Sequence, residues 1–161
     1  MNKSLLLMIP VIALGLAITG CGDDAYLDSS GPTGFTFDLT GNWEGGWTSH
    51  NRGGSGPLSI EFLQANPTQG GGPPTALEGT AALVDFLCPA LLTVDASFNP
   101  GGFVDVPHFD GVLTDGSITI QVFAIVGFDS TGFNGTFSGT YEVLEGALCI
   151  GDTGTIEGIL L

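Results

Sequence analysis

A strict alternation of side-chain character decides the fold class of this chain, and it is clearest in the stretch Phe133-Asn134-Gly135-Thr136-Phe137-Ser138-Gly139-Thr140-Tyr141-Glu142-Val143. Aromatic residues, glycines and a valine fill every second position, and small polar or acidic residues fill the positions between them. This period of two is typical of a strand with one buried face. Glycines between aromatic residues on that face indicate a tightly curved sheet, because glycine permits bending while the rings fill the interior.

The same alternation recurs along the rest of the chain. It predicts eight strands, at residues 41–49, 57–64, 77–85, 91–98, 108–114, 117–126, 133–144 and 153–161. Short links favour an up-and-down meander, and a meander leaves two exposed edges unless it closes. Because the last strand could pair with the first, we predict an all-β fold, namely a closed eight-stranded antiparallel up-and-down barrel, with a β-sandwich as the alternative.

One hairpin is indicated directly by its turn residues. Asp115 and Gly116 lie between two alternating runs. This pair predicts a two-residue turn, in which both central residues adopt positive φ.

The beginning of the chain predicts export and a lipid anchor. Lys3 precedes an apolar run of about 14 residues, which is too short to cross roughly 30 Å of hydrocarbon and is typical of a secretory signal. The run ends in Ile18-Thr19-Gly20-Cys21, which resembles the bacterial lipobox. The resemblance implies that residues 1–20 are removed and that Cys21, acylated at its sulfur and often at its amino group, anchors the protein to a membrane without spanning it.

The residues after Cys21 indicate location and domain organisation. Gly22 stands where an Asp retains enterobacterial lipoproteins at the inner membrane, so the resemblance implies the outer membrane. Residues 21–38 are rich in Asp, Ser and Gly and predict a disordered, lipidated tether. Residues 39–161 are then the β-barrel domain.

The charge of the chain restricts its partners. Its formal net charge is −15, from two basic and 17 acidic residues. Once Lys3 leaves with the signal, Arg52 is the only Lys or Arg that remains. Such a surface repels nucleic acid and anionic headgroups and attracts cations, so nucleic-acid binding is excluded.

The three cysteines predict one disulfide. Lipidation uses Cys21, which leaves Cys88 and Cys149 in an oxidising compartment. In an eight-stranded meander both lie in links at the same rim of the barrel. They start on roughly opposite sides of that rim, so a bridge between them would draw two links across the mouth and close it.

The opening of the first strand carries a family resemblance. Leu39-Thr40-Gly41-Asn42-Trp43 is similar to the Gly-x-Trp start of lipocalins and the Leu-Thr-Gly-x-Trp start of avidins, both eight-stranded barrels of the calycin group. The resemblance implies the fold and no binding residue. The Arg that covers the lipocalin Trp has no counterpart after Arg52, and Gly45 stands where avidins carry a biotin-contacting Asn.

Two functions from different classes follow from a barrel of this size. Either aromatic side chains fill the lumen and the protein has a structural or interaction role, or the barrel binds one small apolar ligand. A ligand site would lie at the end that carries the long loops 65–76 and 99–107. The residues predicted to contact such a ligand are Trp43, Trp47, Phe103 and Phe128.

Few other residues suggest metal binding or catalysis. Asp105, His108 and Asp110 lie close together in sequence and form a candidate cation site. No nucleophile stands beside an evident base, and no carboxylate lies in a plainly apolar segment. We therefore expect no enzyme activity and no cofactor. The expected partners are the membrane, through the lipid, and either a small apolar ligand or an envelope protein.

Overall fold

The protein forms ten β-strands in a computed structural model that describes residues 36–88, 91–101, 105–129 and 134–161. The strands are β1 (Thr36–Phe37), β2 (Gly41–Ser49), β3 (Ser55–Gln64), β4 (Thr68–Gln69), β5 (Thr75–Leu83), β6 (Leu91–Asn99), β7 (His108–Thr114), β8 (Thr119–Phe128), β9 (Gly135–Glu145) and β10 (Thr153–Leu160).

Eight of these strands form a closed antiparallel barrel. Each long strand pairs with the next, in the order β2-β3-β5-β6-β7-β8-β9-β10, and β10 then pairs with β2. The closing pair places Ile156 opposite Trp47. The predicted barrel is confirmed and the sandwich alternative is wrong. The predicted strand limits agree with the observed ones to within two residues, although Phe133 lies outside the described residues.

The two short strands were not predicted. Thr36 of β1 lies opposite Gln69 of β4, and Phe37 lies opposite Thr68. The folded unit therefore includes three residues that the sequence assigned to the tether, Thr36, Phe37 and Asp38. Cys21 and tether residues 22–35 lie outside the described residues.

The links define two ends of the barrel, which we name for their contents. The disulfide end carries the links 50–54, 84–90, 115–118 and 146–152. The long-loop end carries the links 38–40, 65–74, 100–107 and 129–134, and β1 and β4 lie there. This arrangement follows from the meander, because alternate links return to the same end.

Four aromatic rings pack together inside the barrel, in the half nearer the long-loop end. Trp43 contacts Phe62 and Phe137, with ring centroids 6.2 and 5.6 Å apart. Phe109 closes the set, at 5.2 Å from Phe62 and 5.5 Å from Phe137. These four residues, which we call the aromatic ring set, come from β2, β3, β7 and β9 and are all buried. Each edge-to-face or tilted pair stabilises the fold beyond the effect of burying the rings.

Glycine on one strand makes room for rings on its neighbour. A Cβ atom added at Gly158 of β10 would lie 2.6 Å from the ring of Phe137, and one added at Gly154 would lie 2.6 Å from the ring of Tyr141. The rings of β9 therefore lie directly over glycines of β10. A bulkier residue at either position would displace a core ring.

The turn at Asp115 differs from the prediction. Gly116 has a φ of +87°, but Asp115 has no positive φ, and Thr114 pairs with Thr119 around a four-residue loop. The carboxylate of Asp115 explains the difference, because its Oδ1 accepts hydrogen bonds from the backbone of Ser117 and Ile118 and from the Ser117 hydroxyl. An Asp that bonds the backbone two and three residues on builds an Asx-type turn without leaving the usual φ region. These bonds, that from the Ser117 backbone foremost, lower the pKa of the Asp115 carboxyl.

Candidate functional site

Both tryptophans predicted to contact a ligand belong to the packed core. Trp43 is 1% exposed and Trp47 is 3% exposed. Each indole N–H has a backbone partner, because Trp43 donates to the carbonyl of Leu39 and Trp47 to that of Val84, both at 2.9 Å. The side chains are thus satisfied and immobilised by the protein itself, and they present no open wall to a ligand.

The long-loop end, where a ligand mouth was predicted, is covered by the chain's own β1. Phe37 is buried there and packs against Phe98 and Phe128, with centroids 6.0 and 5.3 Å apart. Phe128 is partly buried against the core through this packing. Phe103, the fourth predicted ligand contact, lies outside the described residues. The sequence missed this cover because a two-residue strand leaves no periodic signal.

The candidate cation site is not assembled. His108 and Asp110 lie two residues apart on β7, and the carboxylate of Asp110 is exposed on the outer wall. The Nδ1 atom of His108 lies 2.9 Å from the carbonyl oxygen of Val106, and its ring packs beside Phe123 at 5.2 Å. Across residues 36–88, 91–101, 105–129 and 134–161, no three His, Cys, Asp or Glu side chains form a group that could hold a metal ion. Closeness in sequence therefore did not produce a common site for Asp105, His108 and Asp110.

The disulfide end is closed by the predicted bridge. Cys88 and Cys149 are bonded, with Cα atoms 5.9 Å apart and a sequence separation of 61. Cys149 is fully buried. The bridge joins the β5–β6 link to the β9–β10 link, so it lies across the mouth of the barrel as predicted.

A buried carboxylate supports this end from below. Asp152 has no solvent exposure; its Oδ1 accepts a hydrogen bond of 2.6 Å from the Ser49 hydroxyl, and its Oδ2 accepts one of 2.9 Å from the Tyr141 hydroxyl. Hydrogen bonds from two hydroxyl groups replace those that the carboxylate would make with water. Burial, followed by the hydrogen bond to Asp152 and its charge, raises the pKa of Tyr141 far above the usual value.

The β2–β3 link holds the β9–β10 link in place. The two Nη atoms of Arg52 donate to the carbonyl oxygens of Leu148 and Ile150 at 2.6 and 2.7 Å. The amide of Asn51 donates to the carbonyl of Gly151 and accepts from the backbone of Thr153, at 2.8 and 3.0 Å. No pattern in the sequence predicted these contacts. The one feature that could have drawn attention to Arg52 is that it is the only Lys or Arg after residue 3.

Apolar side chains project from the links that are fixed in this way. Leu87 is 49% exposed, Leu148 is 73% exposed and Ile150 is 54% exposed. All three flank the bonded cysteines, and we call them the apolar rim. Exposed carboxylates occur on the links and strand ends around it, at Asp85, Asp115 and Glu145. The disulfide end thus carries exposed apolar side chains and exposed carboxylates together with the guanidinium group of Arg52.

A shallow groove lies on the outer wall of the barrel. It has a volume of about 540 Å³ and lies over Ser138 of β9, between Ile125 of β8 and Ile159 of β10. Glu44 and Glu157 line it as well. It is open to solvent.

The fold defines a class of protein: an eight-stranded antiparallel barrel, consistent with the calycin-like architecture that the Leu39–Trp43 resemblance implied. Comparison with protein-family models, with curated proteins and with solved structures finds no match to this chain. Within the part of the chain that the structure describes, no helix is long and apolar enough to cross a membrane.

Proposed function

We propose that this protein is a lipid-anchored lipoprotein of the bacterial envelope, whose filled barrel has a structural or interaction role and is not a ligand carrier or an enzyme. The observation that carries the proposal is the occupied lumen. The aromatic ring set packs across the interior of the barrel, in the half nearer the long-loop end. An eight-stranded barrel is only just wide enough to hold one ligand, so four large rings leave the interior to the protein.

Both ends of the barrel support the same conclusion. Phe37 covers the long-loop end, and the bridge between Cys88 and Cys149 crosses the other. A ligand that entered the lumen would have to displace packed aromatic groups as well as pass one of these covers. The features that remain accessible are on the outside of the barrel, which favours a role in contacts with other molecules.

The anchor rests on the sequence. Ile18-Thr19-Gly20-Cys21 supplies the lipobox-like exit, and Gly22 favours the outer membrane over the inner. The described residues begin at Thr36, 15 positions after Cys21. At roughly 3.4 Å per residue, a chain of that length can span at most about 50 Å, so the barrel would remain near the bilayer.

Native mass spectrometry of the purified lipoprotein tests the filled lumen. We expect the mass of the acylated chain from Cys21 onward, with no stoichiometric small-molecule adduct. A fluorescent fatty acid added to the same sample should leave the emission of Trp43 and the unfolding temperature unchanged. A Trp47→Phe variant isolates that emission, because the chain has only two tryptophans. A bound adduct, or saturable quenching of Trp43, would show that the lumen accepts ligands.

A further inference from the structure

We propose that the apolar rim, Leu87, Leu148 and Ile150, is a docking surface for a protein whose contact face has an apolar centre and basic side chains around it. The inference rests on the interaction role proposed above, and the placement of the rim relative to the membrane rests on the proposed lipid anchor. It names the part of the barrel that makes the contact and the chemistry of its partner.

The rim is rigidly presented. Arg52 holds the carbonyl groups of Leu148 and Ile150, and the backbone of the same link bonds to itself, from Cys149 and Ile150 to Gly146 and from Asp152 to Cys149. The disulfide then fixes this link to the one that carries Leu87. Side chains on a fixed backbone lose little further conformational freedom when a partner binds, so their burial is converted efficiently into affinity.

Closure of the barrel does not require these side chains to be exposed. The residue that seals the interior is Cys149, which is fully buried, while its neighbours Leu148 and Ile150 point away from the core. Polar residues at those two positions would close the mouth equally well. Single exposed apolar residues elsewhere, such as Leu63 on β3, are ordinary on a protein surface, but adjoining ones on an ordered platform indicate a contact site.

The charges around the rim select the partner. Asp85, Asp115 and Glu145 are exposed on this end, where Arg52 is the only Lys or Arg of the described residues, and the whole chain carries a net charge of −15. Two copies of the chain meeting rim to rim would bring these carboxylates together, and an anionic lipid surface would be repelled in the same way. A basic surround on the partner would instead complement the acidic surround of the rim and speed the encounter.

The position of the rim suits a contact away from the anchor. The described part of the chain begins at Thr36, at the long-loop end, and the rim lies at the disulfide end. A lipid on Cys21 would therefore be attached through the end of the barrel opposite the rim, which leaves the rim away from the point of attachment.

The test uses the full lipoprotein in nanodiscs of zwitterionic lipid, with empty nanodiscs as the reference surface. Two synthetic helical peptides of equal positive charge are the probes, one with a leucine face and lysine flanks, the other with serine in place of leucine. We expect the leucine peptide to bind, and the double variant Leu148→Ser/Ile150→Ser to weaken that binding about tenfold. Leu63→Ser is the matched control and should bind like the unmodified protein. Leu87→Ser, on the other link, should weaken binding in the same direction even if the double variant folds poorly.

Several results would overturn the inference. Equal binding of the two peptides would mean that charge alone is recognised, and an equal loss in Leu63→Ser would mean that the rim is not the site. Self-association that Leu148→Ser abolishes would identify a second copy as the occupant. Binding to lipid vesicles that depends on Leu148 would identify a membrane. Failure of the anchor is detected separately, by loss of the lipid mass, so it cannot be confused with failure of the rim.

Discussion

The hydroxyl group of Tyr141 donates a 2.9 Å hydrogen bond to Oδ2 of Asp152, and both residues are buried beneath the disulfide end of the barrel. This pair connects the core strand β9 to the β9–β10 link that carries the apolar rim. Because burial and Asp152 raise the pKa of Tyr141, the folded protein retains the tyrosine proton at pH values where the unfolded chain loses it.

The pH dependence of stability follows from that difference. Above about pH 10 the unfolded chain ionises this tyrosine while the folded one does not, so the free energy of unfolding should fall as pH rises, by up to about 1.4 kcal/mol per unit. Below pH 10 the contribution is fully present. Tyr141→Phe should be less stable at neutral pH and should lose stability less steeply above pH 10. Urea unfolding at a series of pH values measures both, and parallel curves for the two proteins would contradict the assignment.

Reduction of the disulfide should weaken the fold strongly. The bridge encloses a segment of 61 residues, and in the chain-entropy model it contributes about 4 kcal/mol to the free energy of unfolding. We expect the double variant Cys88→Ser/Cys149→Ser to lose an amount of that order in urea denaturation. A reducing agent should destabilise the unmodified protein and leave the double variant unaffected. Equal sensitivity of the two proteins to the reductant would argue against the bridge.

Substitution of a glycine beneath a core ring should be costly. An added Cβ at Gly158 would lie 2.6 Å from the ring of Phe137, so Gly158→Ala should lower the free energy of unfolding by about 1–3 kcal/mol. Gly46→Ala is the matched control on β2, because its Cβ would meet nothing closer than the carbonyl oxygen of Gly56 at 3.5 Å. Thermal unfolding monitored by circular dichroism distinguishes the two. A Gly158→Ala protein as stable as the control would mean that the ring has room to move.

Two carboxylates stand opposite each other on the outer wall. Glu78 of β5 pairs in register with Asp95 of β6, and both are exposed. Like charges directly opposite are destabilising, so Glu78→Gln should stabilise the protein by about 0.2–0.5 kcal/mol at low salt, with the gain shrinking as salt is added. Glu157→Gln provides the comparison, because its neighbours in register are Gly46 and Ser138. If the two variants gain equally, the effect comes from net charge and not from this pair.

The anchor has a direct genetic test. Cys21→Ser should abolish incorporation of labelled palmitate and move the protein from the detergent phase to the aqueous phase. Cys88→Ser/Cys149→Ser retains Cys21 and should label normally, which controls for the loss of a cysteine as such. Palmitate labelling that persists in Cys21→Ser would disprove lipidation at this site.

Alternation predicted the eight barrel strands because each strand buries one face, so its residues have to repeat with a period of two. The same reasoning could not say whether the lumen is filled. Alternation identifies inward-facing residues such as Phe109, but their packing depends on the curvature of the barrel and on which rings meet across it. The strands β1 and β4 were missed because two residues carry no period.

Contacts between links could not be predicted from the sequence either. Arg52 and Leu148 are 96 residues apart, and only the return of alternate links to the same end of the barrel brings them together. The disulfide was predictable because the predicted lipidation of Cys21 leaves two cysteines and the meander places both at one rim. No such rule of pairing exists for an arginine and backbone carbonyl groups. The hydrogen bonds that fix the link beneath the apolar rim could therefore be identified only from the structure.

The pairing of β10 with β2 also constrains how the chain can fold. Ser49 lies opposite Gly154, more than 100 residues later in the sequence, and no earlier strand can take the place of β10 at that edge. Until β10 arrives, β2 and β9 each present an unpaired edge, which is the state most exposed to aggregation. Contacts this distant in sequence are slow to form. The barrel should therefore acquire its stability late and in one step, and any chaperone that protects it would be needed until the last strand has docked.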